Sequence, residues 1–197
     1  MVADAGASAV AVHGRTAEQS YAGSADWRLI VDVARSVRIP VFGSGDCVEP
    51  QQVMERMADG GVSGVLVGRG ALRNPWIFSQ ARQLASGSPV QAPTYEDRAR
   101  FLLEYIDLLL GERVNEAEGF RHTAVHQDTV PAGEPPARGR ERWVINKLRA
   151  LCSWYSKGLE DGSRLRVAVN NATSIQQLRD IIHEFFASSN REVARAR

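Results

Sequence analysis

Ile39-Pro40-Val41-Phe42-Gly43-Ser44-Gly45-Asp46 and, further on, Gly64-Val65-Leu66-Val67-Gly68-Arg69-Gly70 each join a short apolar run to a glycine-rich turn. A β-branched run ending in glycines is how a parallel strand hands over to a loop that can hold an anion. Glycine lets the backbone come close, and N–H groups opening the next helix point at the ligand. An earlier run, Ala9-Val10-Ala11-Val12, ends in His13-Gly14-Arg15-Thr16. Three successive strands thus carry polar or glycine-rich loops at their C-terminal ends, where open sheets and barrels bind ligands.

Outward from these runs the chain reads β-α-β-α-β. Strands are expected at 8–12, 39–42 and 64–67, with helices at 27–37 and 50–58 between them. The alternation implies parallel neighbours joined by right-handed crossovers, and Pro50 suits the first turn of its helix. After Asn74-Pro75-Trp76 the pattern turns helical: 76–85, then 95–110 opened by a cap at Thr94-Tyr-Glu-Asp97, then a helix from near Glu141 ending at Gly158, then 164–170. Ser174-Ile-Gln-Gln177 reads as a capping box for a last helix to Phe186. Residues 115–140 hold Pro131, Pro135, Pro136 and three glycines and read as a mobile insertion. The expected organisation is an α/β segment over 1–88, a helical domain starting over 89–114, the insertion over 115–140, further helical domain over 141–186, and a disordered tail over 187–197. Three parallel strands leave faces and edges uncovered, and Ala3–Ala7 reads as the end of a preceding helix. The chain is therefore expected to be the C-terminal part of a larger barrel.

Composition narrows the function. The 197 residues carry a net charge of +1, but unevenly. Residues 1–75 hold seven Arg against eight acids, whereas 142–166 hold six Lys or Arg against two acids, a local excess of four. Two cysteines exclude a disulfide framework and a four-cysteine metal site. No apolar run approaches the ~18 residues of a membrane span, and the first residues do not read as a signal peptide. A cytoplasmic protein with no metal is expected.

Taken together, His13-Gly14-Arg15-Thr16, Ile39-Pro40-Val41 with Gly45-Asp46, Gly64–Ala71, Asn74-Pro75-Trp76 and Trp154-Tyr155-Ser156-Lys157-Gly158 resemble the tRNA-dihydrouridine synthase family, from about Ala3 to Phe186. The resemblance implies an FMN-binding (β/α)8 TIM barrel followed by a small all-α domain that helps hold tRNA, these strands being the sixth to eighth. It also implies NADPH as reductant and reduction of uridine to dihydrouridine in tRNA. The family's proton-donating cysteine, and a lysine and a glutamine that touch the flavin, lie in the first half of the barrel and have no counterpart here, so no catalytic residue is assigned and the chain alone is expected to be inactive. Ser44 stands where the family usually has Asn, and Arg149-Ala150-Leu151 where it often has Arg-Lys-His.

The cofactor-binding candidates are His13, Ser44, Gly45, Asp46, Gly68 and Arg69, with Gly68-Arg69-Gly70 around the terminal phosphate. The plain alternative is a strand-to-helix turn, and a structural role for His13. Arg15 would either serve substrate phosphates or pair with a carboxylate such as Asp26. Asp46 is expected to cap the following helix and meet the ligand through its backbone. Cys47 and Cys152 read as buried. Arg142, Asn146, Arg149 and Ser153 share one helix stripe at ~100° per residue, and Arg142, Arg149 and Lys157 are the RNA-binding candidates; the alternative is a solvated face. His122 and His126, spaced i, i+4, read as solvated, and His183 as exposed. Two other functions fit the same residues: a flavin or phosphate-binding barrel acting on a small molecule, and an inactive RNA-binding fragment.

Overall fold

The computed structural model describes residues 2–19, 22–111 and 137–195. His122 and His126, and nearly all of the expected insertion, lie outside the described residues. The chain divides into two compact units, Met1–Ala92 and Pro93–Arg197.

The first unit runs β1 (Val10–His13), α1 (Trp27–Ser36), β2 (Val41–Ser44), α2 (Pro50–Ala58), β3 (Gly64–Leu66), α3 (Arg69–Arg73) and α4 (Ile77–Ala85). Its strands form a parallel sheet in the order β1-β2-β3. The second expected strand shifts toward its C-terminus because Pro40 has no N–H for a ladder; its carbonyl instead accepts from Val10 at 2.9 Å. Residues 2–7 carry a helix-ending pair of bonds, Ala7 N–H to the Val2 carbonyl and Gly6 N–H to that of Ala3, with Gly6 at φ +89°. Asp26 caps α1, its Oδ1 accepting from the Leu29 N–H at 3.1 Å, and Pro50 opens α2 as expected.

Pairing register sorts the strand residues onto two faces. Val10, Val12, Val41, Gly43 and Val65 share the face under α1. There Trp27, Ile30, Cys47 and Val62 form a buried core with Val12, Ala25, Ala34, Val53, Val65 and Val67 around it. Trp27 lies so close that a Cβ on Gly43 would stand 2.5 Å from its ring, so only glycine fits that strand position. Ala11, His13, Phe42, Ser44, Gly64 and Leu66 share the opposite face, where Ala11, His13 and Leu66 are exposed. No helix among the described residues is long and apolar enough to cross a membrane.

The second unit comprises α5 (Tyr95–Gly111), α6 (Ala137–Tyr155), α7 (Gly162–Asn171) and α8 (Ile175–Arg195). Helix α5 packs on α6 and α8, and α6 on α7. Leu102, Ile106, Leu148, Tyr155, Leu165, Leu178 and Ile182 are fully buried among them. Thr94 and Asp97 cap α5 reciprocally. Ser174 accepts from the Gln177 N–H at 3.2 Å, and the Gln177 side chain reaches back to the Thr173 N–H at 2.9 Å. Helix α6 ends at Tyr155, short of the expected Gly158, α7 starts at Gly162, ahead of the expected 164, and two boundaries differ by more. Helix α6 begins at Ala137, directly after Pro135-Pro136, and α8 continues to Arg195, no Gly or Pro interrupting 187–195.

Candidate functional site

The C-terminal ends of β1, β2 and β3 put their loops side by side. Around a cavity of about 120 Å³ stand His13, Ser44, Gly45, Asp46, Gly68 and Arg69, with Cys47, Val48, Leu66 and Gly70 completing the wall. All six cofactor-binding candidates are thus brought together. His13 Nδ1 and Ser44 Oγ are 3.1 Å apart across β1 and β2. Gly45, at φ +150°, has no room for a side chain, since a Cβ would come within 2.4 Å of the Ala25 methyl.

Asp46 does something other than cap a helix. It adopts φ +50°, and residue 49 occupies the N-cap of α2, where the Gln52 side chain accepts from the Val48 and Glu49 N–H groups. The Asp46 carboxylate faces the β1 loop instead. Its Oδ2 accepts from Arg15 Nη2 at 2.8 Å and from the Ala25 N–H at 2.7 Å. Its Oδ1 lies 2.8 Å from Arg15 Nη1 and 3.4 Å from Arg69 Nη2. Burial works to raise this carboxyl, but hydrogen bonds from Arg15 and Ala25 and the charges of Arg15 and Arg69 outweigh it and hold it below its ordinary range.

Arg15 accordingly pairs with Asp46 and not with Asp26, which is spent as the α1 cap. Its side chain is 4% exposed, and it also donates to the Gly23 carbonyl at 2.9 Å. Pairing of Arg15 with a carboxylate is thus the reading that holds, and which carboxylate was not legible because the partners lie 31 residues apart. Trp27 was missed too. Its indole N–H donates to the Gly45 carbonyl at 2.9 Å. The sequence signal for it was a tryptophan directly after a capping Asp, opposite a glycine inside a strand.

Cys47 lines the cavity but is buried, and desolvation pushes its thiol up. Cys152 is buried in the helical core and pushed up to about 12. His183 is exposed on α8. Among the described residues no three His, Cys, Asp or Glu side chains gather as metal ligands do.

In the helical unit, Arg142 and Arg149 line a separate cavity of about 530 Å³ with Glu141, Ile145, Ala172 and Thr173. Arg149 is committed to structure. Nη2 donates to the Ala172 carbonyl at the end of α7 at 2.9 Å and Nη1 to Asn146 Oδ1 at 3.1 Å. Lys157 stands outside that cavity, its ammonium 3.7 Å from the centre of the Trp154 ring. A second basic-aromatic group lies along α6, with Arg140 and Lys147 over the Trp143 ring at 4.5 and 5.2 Å.

A family model described as Dihydrouridine synthase (Dus) matches residues 1–188. A Rickettsia bellii protein named a probable tRNA-dihydrouridine synthase is 34% identical over 185 residues, covering 93% of this chain and 49% of its own. Proteins of the same name from Mycobacterium leprae and Treponema pallidum are 32% and 35% identical, over 88% and 75% of this chain and 39% and 43% of theirs. The chain spans half or less of the length of these curated relatives.

Proposed function

The chain belongs to the dihydrouridine synthase family, and from that premise we propose that it supplies the phosphate end of an FMN site and a tRNA-holding helical domain for reduction of uridine to dihydrouridine, with NADPH as reductant. The observation that carries this reading is the single cavity where three strand ends bring His13, Ser44, Gly45, Asp46, Gly68 and Arg69 together. Its residues fit a phosphate monoester. The cavity far exceeds the ~10–15 Å³ one water requires, a Cβ on Gly68 would meet nothing within 4 Å, and Arg69 is a cation one-third exposed.

FMN, when bound, would supply hydride chemistry at the uracil C5=C6 bond. This chain's residues bind and orient. Arg69 would give the phosphate a charge-assisted hydrogen bond. Ser44 and His13 add polar groups on the exposed face of the sheet, and Trp27 holds the Gly45 loop from behind. That face, bared over Ala11, His13 and Leu66, suits the interior of a TIM barrel, and the sequential parallel order suits its last three strands. On the family resemblance the proton-donating cysteine comes from the preceding strands, so this chain alone is expected to show no turnover. The basic residues of α6 and the turn after it would meet tRNA phosphates. A cytoplasmic setting goes with that substrate.

The test compares FMN with riboflavin, which lacks the phosphate, by flavin fluorescence titration. The expected result is tighter binding of FMN, lost in Arg69→Ala by about 10–150-fold, the worth of a charge-assisted bond of ~1.5–3 kcal/mol. Equal affinities for the two flavins, or an Arg69→Ala variant with unchanged FMN affinity, reject the site.

A further inference from the structure

We propose, resting on the phosphate site above, that Trp27 is a positioning residue for that phosphate: by holding the Gly45 carbonyl on the α1 side of the sheet, it turns the Asp46 N–H toward the cavity as a donor to the phosphate monoester. The Gly45 carbonyl and the Asp46 N–H belong to one peptide group. No peptide bond among the described residues is cis, and in a trans peptide the two groups point in opposite directions. Trp27 is buried with Ile30 in the core beneath α1, and its indole N–H reaches the Gly45 carbonyl at 2.9 Å. By strand register His13, Ser44 and Leu66 lie on the other face, and all three line the cavity. A carbonyl drawn toward Trp27 therefore leaves its N–H facing the side on which the cavity opens. That N–H donates to no protein group among the described residues, while Gly45 and Asp46 both stand in the wall.

The conformation of Asp46 shows why this peptide has to be held. Its φ of +50° lies in the left-handed region, which aspartate tolerates but does not prefer. Flipping the peptide would carry Asp46 to a negative φ and turn its N–H toward the core, and Gly45 offers such a flip little resistance. Two restraints oppose it. Trp27 fixes the carbonyl, and Arg15 and the Ala25 N–H fix the Asp46 carboxylate at 2.8 and 2.7 Å. The Cys47 thiol, 3.5 Å from the same carbonyl, is only a weak donor. Backbone kept in a sparsely populated conformation by its surroundings clusters at ligand sites, and N–H groups at left-handed turns form anion-binding concavities.

Trp27→Phe keeps an aromatic ring and removes the donor. By flavin fluorescence titration it is expected to weaken FMN binding about three- to tenfold, the effect of losing one hydrogen bond that biases the peptide, and to leave riboflavin affinity unchanged. An equal fall for both flavins, or no fall for FMN, overturns the proposal, since Trp27 would then only pack α1. The second readout needs no variant. In amide proton–nitrogen spectra of the 197-residue chain, FMN is expected to move the Asp46 N–H downfield, as a charge-assisted bond does, and riboflavin is not. An Asp46 amide that stays still while FMN is preferred over riboflavin overturns the proposal, and this decides the matter if Trp27→Phe does not fold. A parent chain without preference for FMN instead overturns the phosphate site on which this rests, so the two failures are told apart.

Discussion

Trp27 is bonded to Gly45 through its indole N–H at 2.9 Å, tying the first residue of α1 to the loop that walls the cavity. The same ring rests where a side chain on Gly43 would be. One tryptophan therefore fixes both the packing of α1 on β2 and the path of the chain just beyond that strand.

Trp27→Phe keeps a buried ring and removes the donor, so the Gly45 carbonyl loses this partner at a cost of about 1–2 kcal/mol. Gly43→Ala forces a methyl against the Trp27 ring and should cost about 1–3 kcal/mol by overpacking. Urea unfolding followed by far-ultraviolet circular dichroism reads both. A Gly43→Ala variant as stable as the parent would mean that α1 does not pack on β2 as described.

Asp46 should make stability depend on acidity in one direction. Its carboxyl is held below the ordinary value of 3.8 in the folded chain, so folding releases a proton relative to the unfolded state. The stability this contributes is complete above about pH 5 and is lost as pH falls through the lowered folded value. Asp97, lowered by its hydrogen bonds to Thr94, acts in the same window, so comparison with Asp46→Asn isolates the clamp. The stability gap between parent and variant should be widest near neutral pH and shrink below pH 4. A gap constant across that range would mean that Asp46 is not charge-paired.

Helix positions and cavity members were legible in the sequence because they rest on local signals. Pro50, the Thr94–Asp97 cap and Ser174 mark helix starts that the chain obeys, and the cavity residues follow from strands that end in glycines. What could not be read depends on distant partners. Asp46 followed by a helix suggests a cap, and only folding brings Arg15 to it. Arg149 reads from sequence as an RNA-binding candidate on a polar helix stripe, and the Ala172 carbonyl that claims it lies 23 residues on. The end of α8 was missed for a different reason: polar residues after Phe186 suggested fraying, yet nothing there breaks a helix.

Both thiols should be inert in the folded chain. The thiolate is the reactive species, and burial raises Cys47 and pushes Cys152 up to about 12. A maleimide probe at neutral pH is expected to label neither quickly, Cys152 more slowly than Cys47, and both at once in urea. Rapid native labelling of Cys47 would make it a candidate reactive group in the cavity.

The basic residues of the helical unit should separate into two kinds. Arg149 donates to the Ala172 carbonyl, so Arg149→Ala should lower stability by about 1–2 kcal/mol through loss of that bond. Arg142 is exposed on α6, and Lys157 follows it, stacked on Trp154. If these two neutralise RNA phosphates, Arg142→Ala with Lys157→Ala should leave stability nearly unchanged. It should weaken tRNA binding whatever the sequence and flatten its salt dependence by up to about two phosphate contacts' worth. Filter binding across a salt series, beside thermal unfolding of each variant, makes the comparison. Salt slopes identical to the parent would make Arg142 and Lys157 a solvated face. The RNA grip would then have to be sought at the second basic-aromatic group, where Arg140 and Lys147 flank Trp143.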